Sequence, residues 1–350
     1  MENNRKSLYD ISWQVTEPEY REDPALSYSV LSKYEREGFE HLDKLFESFE
    51  SPSLTFGSAV DCLITDGEEA FAERFFISDI PSMKPSVEPI VKEIYEKFHN
   101  SYTNINDILD SEIMPIIAEY KYQPNWKNET RCKVIKQEGY KYYQTMFMAG
   151  DKTILSQDMY NKVFACVRAL KDSPQTGIYF CPNDPFSDVE RFYQLKFKGT
   201  LEGIDYRCMM DLAIVDHENK VIIPCDLKTS AHREYDFPKS FLQWRYDIQA
   251  RLYSRLLKHT IEKDEYFKDF KVEDYRFIVV NNIDNPTPLV WKFGCTHALG
   301  GLKISGKKLR DPQNIGGELT YYLKEKPSVP MDIHLKGTNS IEEWLDMNSE

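Results

Sequence analysis

Two apolar runs separated by a short polar cluster, CMMDLAIV (208–215) and VIIPCDLKT (221–229), constrain this chain more than any other feature. Both runs are rich in strand-forming residues. The cluster from Asp216 to Lys220 between them can only be a turn, so the pattern predicts a β-hairpin. Yet the runs carry three charges, Asp211, Asp226 and Lys228, where a buried sheet should carry none. Opposed residues of a hairpin have numbers of constant sum. A loop centred between Glu218 and Asn219 fixes that sum at 437 and sets Asp211 opposite Asp226. Strand side chains alternate between faces, so Asp226 and Lys228 point the same way. Pro224 has no N–H to give and requires a bulge or a free edge at that point of the strand.

Two carboxylates forced together repel unless a cation lies between them, and hard oxygen donors suit Mg²⁺ or Mn²⁺. A lysine beside such an ion can orient water or stabilise developing charge. The bland alternative is an Asp–Lys ion pair at a strand end. D-x-K alone has little weight, because a chain this long holds roughly one by chance. Asp269-Phe270-Lys271 is a second example, with no strand before it.

With 350 residues the chain can form one large domain or two modest ones. We expect a mainly helical part over 1–175 that lends a helix near 55–65 to the site, and a core over 176–350, together one compact domain. No stretch of eighteen apolar residues occurs and MENNRKSLYDISW has no signal-peptide core, so we expect a soluble cytoplasmic protein with no membrane partner. The seven cysteines are dispersed with no C-x-x-C pair, which predicts free buried thiols and no iron–sulfur cluster. The net charge of −13 argues against a surface coated in nucleic-acid-binding charge. Residues 228–259 nevertheless hold 7 Lys/Arg against 3 Asp/Glu, whereas 1–60 hold 6 against 12. A phosphate-facing surface would therefore lie around the second segment.

Residues 1–27 read as irregular. A helix follows with Ser27 or Ser29 as cap, a second begins near Thr55–Gly57, and a third runs from the cap Ser156 to the stop Pro174. Residues 188–198 read as a strand leading to the hairpin, YRFIVVNN and PLVWKFG as two more, and the chain from ALGGLKISGKKLRD onward as helical. Helices before and after a central group of strands indicate an α/β or α+β fold, a mixed sheet flanked by helices. One long helix is expected from Lys239 to Lys258, with Phe241, Trp244, Ile248, Leu252 and Leu256 as its apolar stripe. Arg245, Gln249 and Tyr253 run beside that stripe at four-residue spacing. Gln249 and Tyr253 there could hold a phosphate, a base edge or the lysine, or simply hydrogen-bond at the edge of the core.

A strand bearing Asp211, a strand bearing DLK and a helix bearing Q-x-x-x-Y together resemble the PD-(D/E)XK nuclease superfamily and its RecB-type branch. The phrase CDLKTS…WRYDIQARLYS is most similar to the RecE group (exodeoxyribonuclease VIII) and phage recombination exonucleases. LSYSVLSKYEREGFEHL, FGSAVDCLI and SQDMYNKVFACVRALKDSPQ resemble further segments of that group, so the likeness spans about residues 27–257.

The resemblance implies a restriction-endonuclease-like core and a Mg²⁺- or Mn²⁺-dependent deoxyribonuclease that degrades double-stranded DNA from its ends. It implies one or two ions held by Asp211, Asp226, the Leu227 carbonyl and Asp61, with Glu190 as a further acidic candidate. Asp61 stands where the group carries a histidine, a departure that bears on metal preference. Lys228 is implied as the catalytic lysine, Gln249 and Tyr253 as its orienting partners, and Arg245, Arg233 and Thr229 as DNA contacts. A homo-oligomeric ring and a single-strand annealing protein as partner, in a bacterial or phage-infected cell, complete the implied picture. The alternatives are a RecB-like endonuclease or repair nuclease, and a catalytically inactive DNA-binding or assembly subunit.

Overall fold

The computed structural model describes residues 5–47, 51–80, 83–283, 285–295, 302–304, 306–338 and 340–341. The chain forms two compact units, one interrupting the other in sequence. A helical unit comprises Ser51–Arg168 and Asn282–Asn285; a sheet unit comprises Met1–Glu50, Ala169–Asn281 and Pro286–Glu350. Among the described residues no helix is long and apolar enough to cross a membrane. All seven cysteines are free; Cys181 is exposed and Cys295 half-buried, against the expectation that every thiol is buried.

In the helical unit, Ser51 rather than Thr55 starts the first helix, Pro52–Thr65, its hydroxyl accepting from the Leu54 N–H with Pro52 pre-set for the first turn. Two short parallel strands pair, β1 (Phe75–Ile77) and β2 (Thr153–Leu155). Ser156 caps the helix Gln157–Asp172 as expected, accepting from the Met159 N–H. Residues 98–130 before it contain the helix Asp110–Glu119 and the start of the helix Asn128–Ala149. Ile90, Val91, Ile94, Ile105, Ile113, Ile117, Ile135 and Tyr143 form the local core. Gly139 lets the Asn128–Ala149 helix approach Val91 closely, since a Cβ there would lie 2.6 Å from one Val91 methyl and 3.2 Å from Ile105. Gly139→Leu should destabilise the protein by about 3 kcal/mol through overpacking. An unchanged urea midpoint would show that Val91 can move aside.

The sheet unit is built on strands β3 (Val189–Leu201), β4 (Ile204–Asp216), β5 (Val221–Ser230), β6 (Lys271–Val272), β7 (Tyr275–Asn281) and β8 (Leu289–Phe293). The order is β3-β4-β5-β7-β8, with β6 alongside the start of β5. β3, β4 and β5 run antiparallel in sequence, β7 is parallel to β5, and β8 is antiparallel to β7. This is a mixed sheet flanked by helices, the expected fold class. Leu26 of the N-terminal segment adds a parallel bridge at Tyr206. On one face the sheet packs against helices Tyr28–Glu37, Phe237–Gln243, Tyr246–Ile261 and Pro312–Glu325, through Leu31, Tyr34, Phe241, Ile248, Leu252, Leu256, Ile315 and Leu319. The segment after Gly301 is not wholly helical, because Leu302–Ile304 (β9) and Lys307–Leu309 (β10) pair as a small hairpin. Residues 296–301 of that expectation lie outside the described residues.

The hairpin register is the one the turn demanded. Leu212 faces Cys225 and Asp216 faces Val221, every pair summing to 437. Pro224 meets the expected free edge, and needs no bulge. On its other side β5 pairs with β6 as far as Ile222 and with β7 only from Cys225, so the residue without an N–H falls in the gap between two partners.

A second irregularity lies one strand away. The residues that β3 buries in the main core are Phe192, then Leu195 and Phe197; those of β4 are Tyr206, Cys208 and Met210, then Ala213. Alternation slips by one residue in both strands at the same level, between Leu195↔Met210 and Phe192↔Ala213. Gln194, with φ +52°, and Asp211 occupy this dislocation.

Candidate active site

β5 passes from its antiparallel partner β4 to its parallel partner β7 at Cys225, and the charged residues come immediately after. Asp226 and Lys228 project from the core face of β5, beneath the start of helix Tyr246–Ile261. Lys228 Nζ lies 2.5 Å from Asp226 Oδ2. Gln249, from the first turns of that helix, donates from Nε2 to Asp226 Oδ1 at 2.5 Å. Asp211 leans across from the dislocated strand, its Oδ2 accepting the Leu227 N–H at 2.9 Å. Three expected members, Asp226, Lys228 and Gln249, thus meet directly, and Asp211 joins them through the backbone of β5.

Asp226 is buried, with 1% of its side chain exposed, whereas Lys228 keeps 19%. Burial alone would lower the lysine pKa. Attraction to Asp226, followed by Tyr246, Asp211 and Tyr28, outweighs it and carries the net shift upward. Beside these carboxylates Lys228 is held as an ammonium and donates hydrogen bonds. Its Nζ also stands 4.9 Å from the centre of the Tyr246 ring, a cation–π contact. Asp226 Oδ2 meets the ammonium but receives no aligned hydrogen bond, and Gln249 Oε1 is buried without a partner among the described residues. Unsatisfied buried oxygens beside two carboxylates suit a hard cation.

Gln249 therefore orients the carboxylate, not the lysine. Tyr253, one turn further along, is buried in the main core with its ring 6.4 Å from Tyr275. Burial first, then Tyr20, Cys208, Asp226 and Asp211, hold its phenol neutral, far above the ordinary range. The expected long helix is broken. Phe237–Gln243 and Tyr246–Ile261 are separate, and Arg245 sits between them in left-handed conformation at φ +55°. The assignment of Arg245 as a DNA contact is corrected: its guanidinium is committed to Glu35 and, at 2.8 Å, to Asp247. Arg251 and Arg255 both engage Asp311. Three of the seven cations in 228–259 thus belong to an internal network, not to a phosphate-facing surface. Arg233 is exposed and Thr229 half-buried.

Glu190 is also corrected. It pairs with Val215 near the far end of β3, about 13 Å of strand from the residue beside Asp211, and its Oε2 contacts His217 Nε2 at 3.1 Å. Asp61 stands on helix Pro52–Thr65 of the helical unit, where its carbonyl accepts from the Thr65 hydroxyl at 2.8 Å. Among the described residues no group of three His, Cys, Asp or Glu side chains converges to hold a metal. Around Lys228 the hard donors are the carboxylates of Asp226 and Asp211. That set suits an ion that keeps several waters, as Mg²⁺ does, and not a closed protein cage.

Sequence reasoning missed Tyr246, Tyr28, Glu35 and Asp247. Tyr246 and Asp247 lie in the quoted WRYDIQ, and Tyr246, three residues before Gln249 on the same helix, shares its face.

No family model matches the chain, and no curated protein matches it. Among solved structures, the crystal structure of a "Putative exonuclease" from Eubacterium rectale aligns over 89% of this chain and 85% of its own, with 12% identity and a TM-score of 0.41.

Proposed function

We propose that the chain is a metal-dependent deoxyribonuclease that hydrolyses phosphodiester bonds of double-stranded DNA from the ends. The observation that supports it best is the convergence of Asp226, Lys228 and Gln249 on one face of the sheet, with Asp211 held against the same strand. Asp211, Asp226 and the Leu227 carbonyl would hold Mg²⁺ or Mn²⁺, which when bound polarises a phosphoryl oxygen and lowers the pKa of bound water. Gln249 fixes the rotamer of Asp226, and the Leu227 amide fixes that of Asp211, so both carboxylates meet the cation pre-oriented. The Lys228 ammonium donates to the attacking water or to a non-bridging phosphate oxygen and stabilises charge that develops there. Work on DNA ends in recombination, with an annealing protein and a homo-oligomeric ring, is the cellular setting that the sequence resemblance suggests for this reading.

Linear, 5′-dephosphorylated, nicked and covalently closed DNA, each incubated with Mg²⁺ or Mn²⁺, test it. Degradation of linear DNA alone, and none in excess chelator, is the expected result. Cutting of closed circles would replace the exonuclease by an endonuclease. Binding without cleavage under either ion would overturn the enzymatic assignment.

A further inference from the structure

Trp244 is 43% exposed, although it lies between two buried core residues, Phe241 and Ile248. A helix running straight from Phe237 to Ile261 would keep all three on one stripe. The chain instead adopts left-handed conformation at Arg245, a state that costs a non-glycine residue free energy. That state is held by Arg245 bonds to Glu35 and Asp247 and, at 3.4 Å, to the Arg310 carbonyl. Strain maintained by a dedicated set of charges, and used to turn a tryptophan outward, points to a use for the tryptophan.

Its surroundings indicate which. The Arg36 guanidinium lies over the indole at 4.7 Å from its centre, and the Tyr28 hydroxyl donates to the Trp244 carbonyl at 2.8 Å. Tyr28 in turn neighbours Tyr246, with ring centres 6.2 Å apart, and Tyr246 carries Lys228 on its face. An exposed aromatic–cation pair thus stands two rings away from the candidate catalytic lysine. Aromatic faces flanked by arginine stack nucleobases without regard to sequence, but a base can reach them only when unpaired.

We propose that Trp244, backed by Arg36, stacks an unpaired nucleobase next to the bond presented to Lys228, so that the site engages a duplex end through its frayed strand. This rests on the nuclease reading for its purpose but not for its measurement. Binding of a short oligo-dT and of a blunt duplex of equal length is followed in chelator, where nothing is cut. Trp244→Ala should raise the oligo-dT Kd about tenfold or more, and that of the blunt duplex far less; Trp244→Phe should restore most of the affinity. Saturating oligo-dT should quench tryptophan emission in the wild type and much less in Trp244→Phe, a readout that stands even if the alanine variant fails to fold. Unchanged oligo-dT binding in Trp244→Ala, equal weakening on both probes, or undiminished quenching in Trp244→Phe would each overturn the platform. Cleavage without stacking removes the platform alone, and stacking without cleavage removes the nuclease reading alone.

Discussion

Asp226→Asn is expected to reduce metal-supported cleavage of linear DNA by more than about 100-fold, since loss of mere outer-shell partners costs metal sites about 10–100-fold. It should also lower the unfolding free energy by about 3 kcal/mol, the lower end for a broken buried ion pair, because Lys228 keeps part of its surface in water. Asparagine keeps the volume and can still accept from Gln249, so neither cavity nor lost packing explains the loss. It removes the charge that keeps Lys228 an ammonium and one of the two carboxylates. Stability and activity separate in the double variant Asp226→Asn/Lys228→Met. Removing both charges should recover most of the stability, as when buried pairs are replaced by apolar groups, yet leave cleavage absent. Full activity in Asp226→Asn, with the metal response intact, would sink the site assignment.

Asp311→Ala should have the largest effect on stability, about 5 kcal/mol, enough to unfold a marginal domain. The carboxylate is buried and does three things at once: it meets Arg251 at 2.5 Å and Arg255 at 2.6 Å, and it caps helix Pro312–Glu325 through the Gln313 N–H at 2.9 Å. Without it, Arg251, with 1% exposed, faces Asp247 at 3.8 Å and the Arg310 carbonyl at 3.2 Å. The lost cap adds roughly 1 kcal/mol. The same group sets an acid limit. Burial raises the Asp311 pKa, but bonds from Arg255 and the Gln313 amide and the charges of Arg255 and Arg251 outweigh it, and the net shift is downward. A depressed folded-state pKa means that the contribution is present above the unfolded value, about 3.9, and fades as pH falls through the lower folded one. Wild type should therefore lose stability below about pH 4 more steeply than Asp311→Asn. Urea midpoints across that window measure the difference, and parallel curves would refute it.

Much of this site was legible because hairpin pairing is arithmetic. The loop residues fix the sum at 437, and alternation then puts Asp226 and Lys228 on one face without knowledge of the rest of the chain. The Gln249 contact could be anticipated only through resemblance, because periodicity gives the face of a helix and not what lies opposite. The break at Arg245 was not legible. Neither glycine nor proline marks it, and Glu35, a partner of the Arg245 side chain, is more than two hundred residues away in sequence. Counting charges failed for the same reason: Arg245, Arg251 and Arg255 look like a basic surface until Glu35, Asp247 and Asp311 come together around them. Glu190 misled because an acidic residue on a strand looks the same whether it faces a cation or His217.

The bridge between Leu26 and Tyr206 has a consequence for biogenesis. Tyr206 follows Leu26 by 180 residues, with the whole of Ser51–Arg168 translated between them. At roughly 5–20 residues per second, a ribosome needs roughly 9–36 s to cover that distance. For that interval Leu26, Val30 and Leu31 have no sheet to cover them, while Ser51–Arg168, the greater part of the interrupting helical unit, has already been made. The apolar segment around Leu26 thus waits for its partner strand while most of the unit that interrupts the sheet is made.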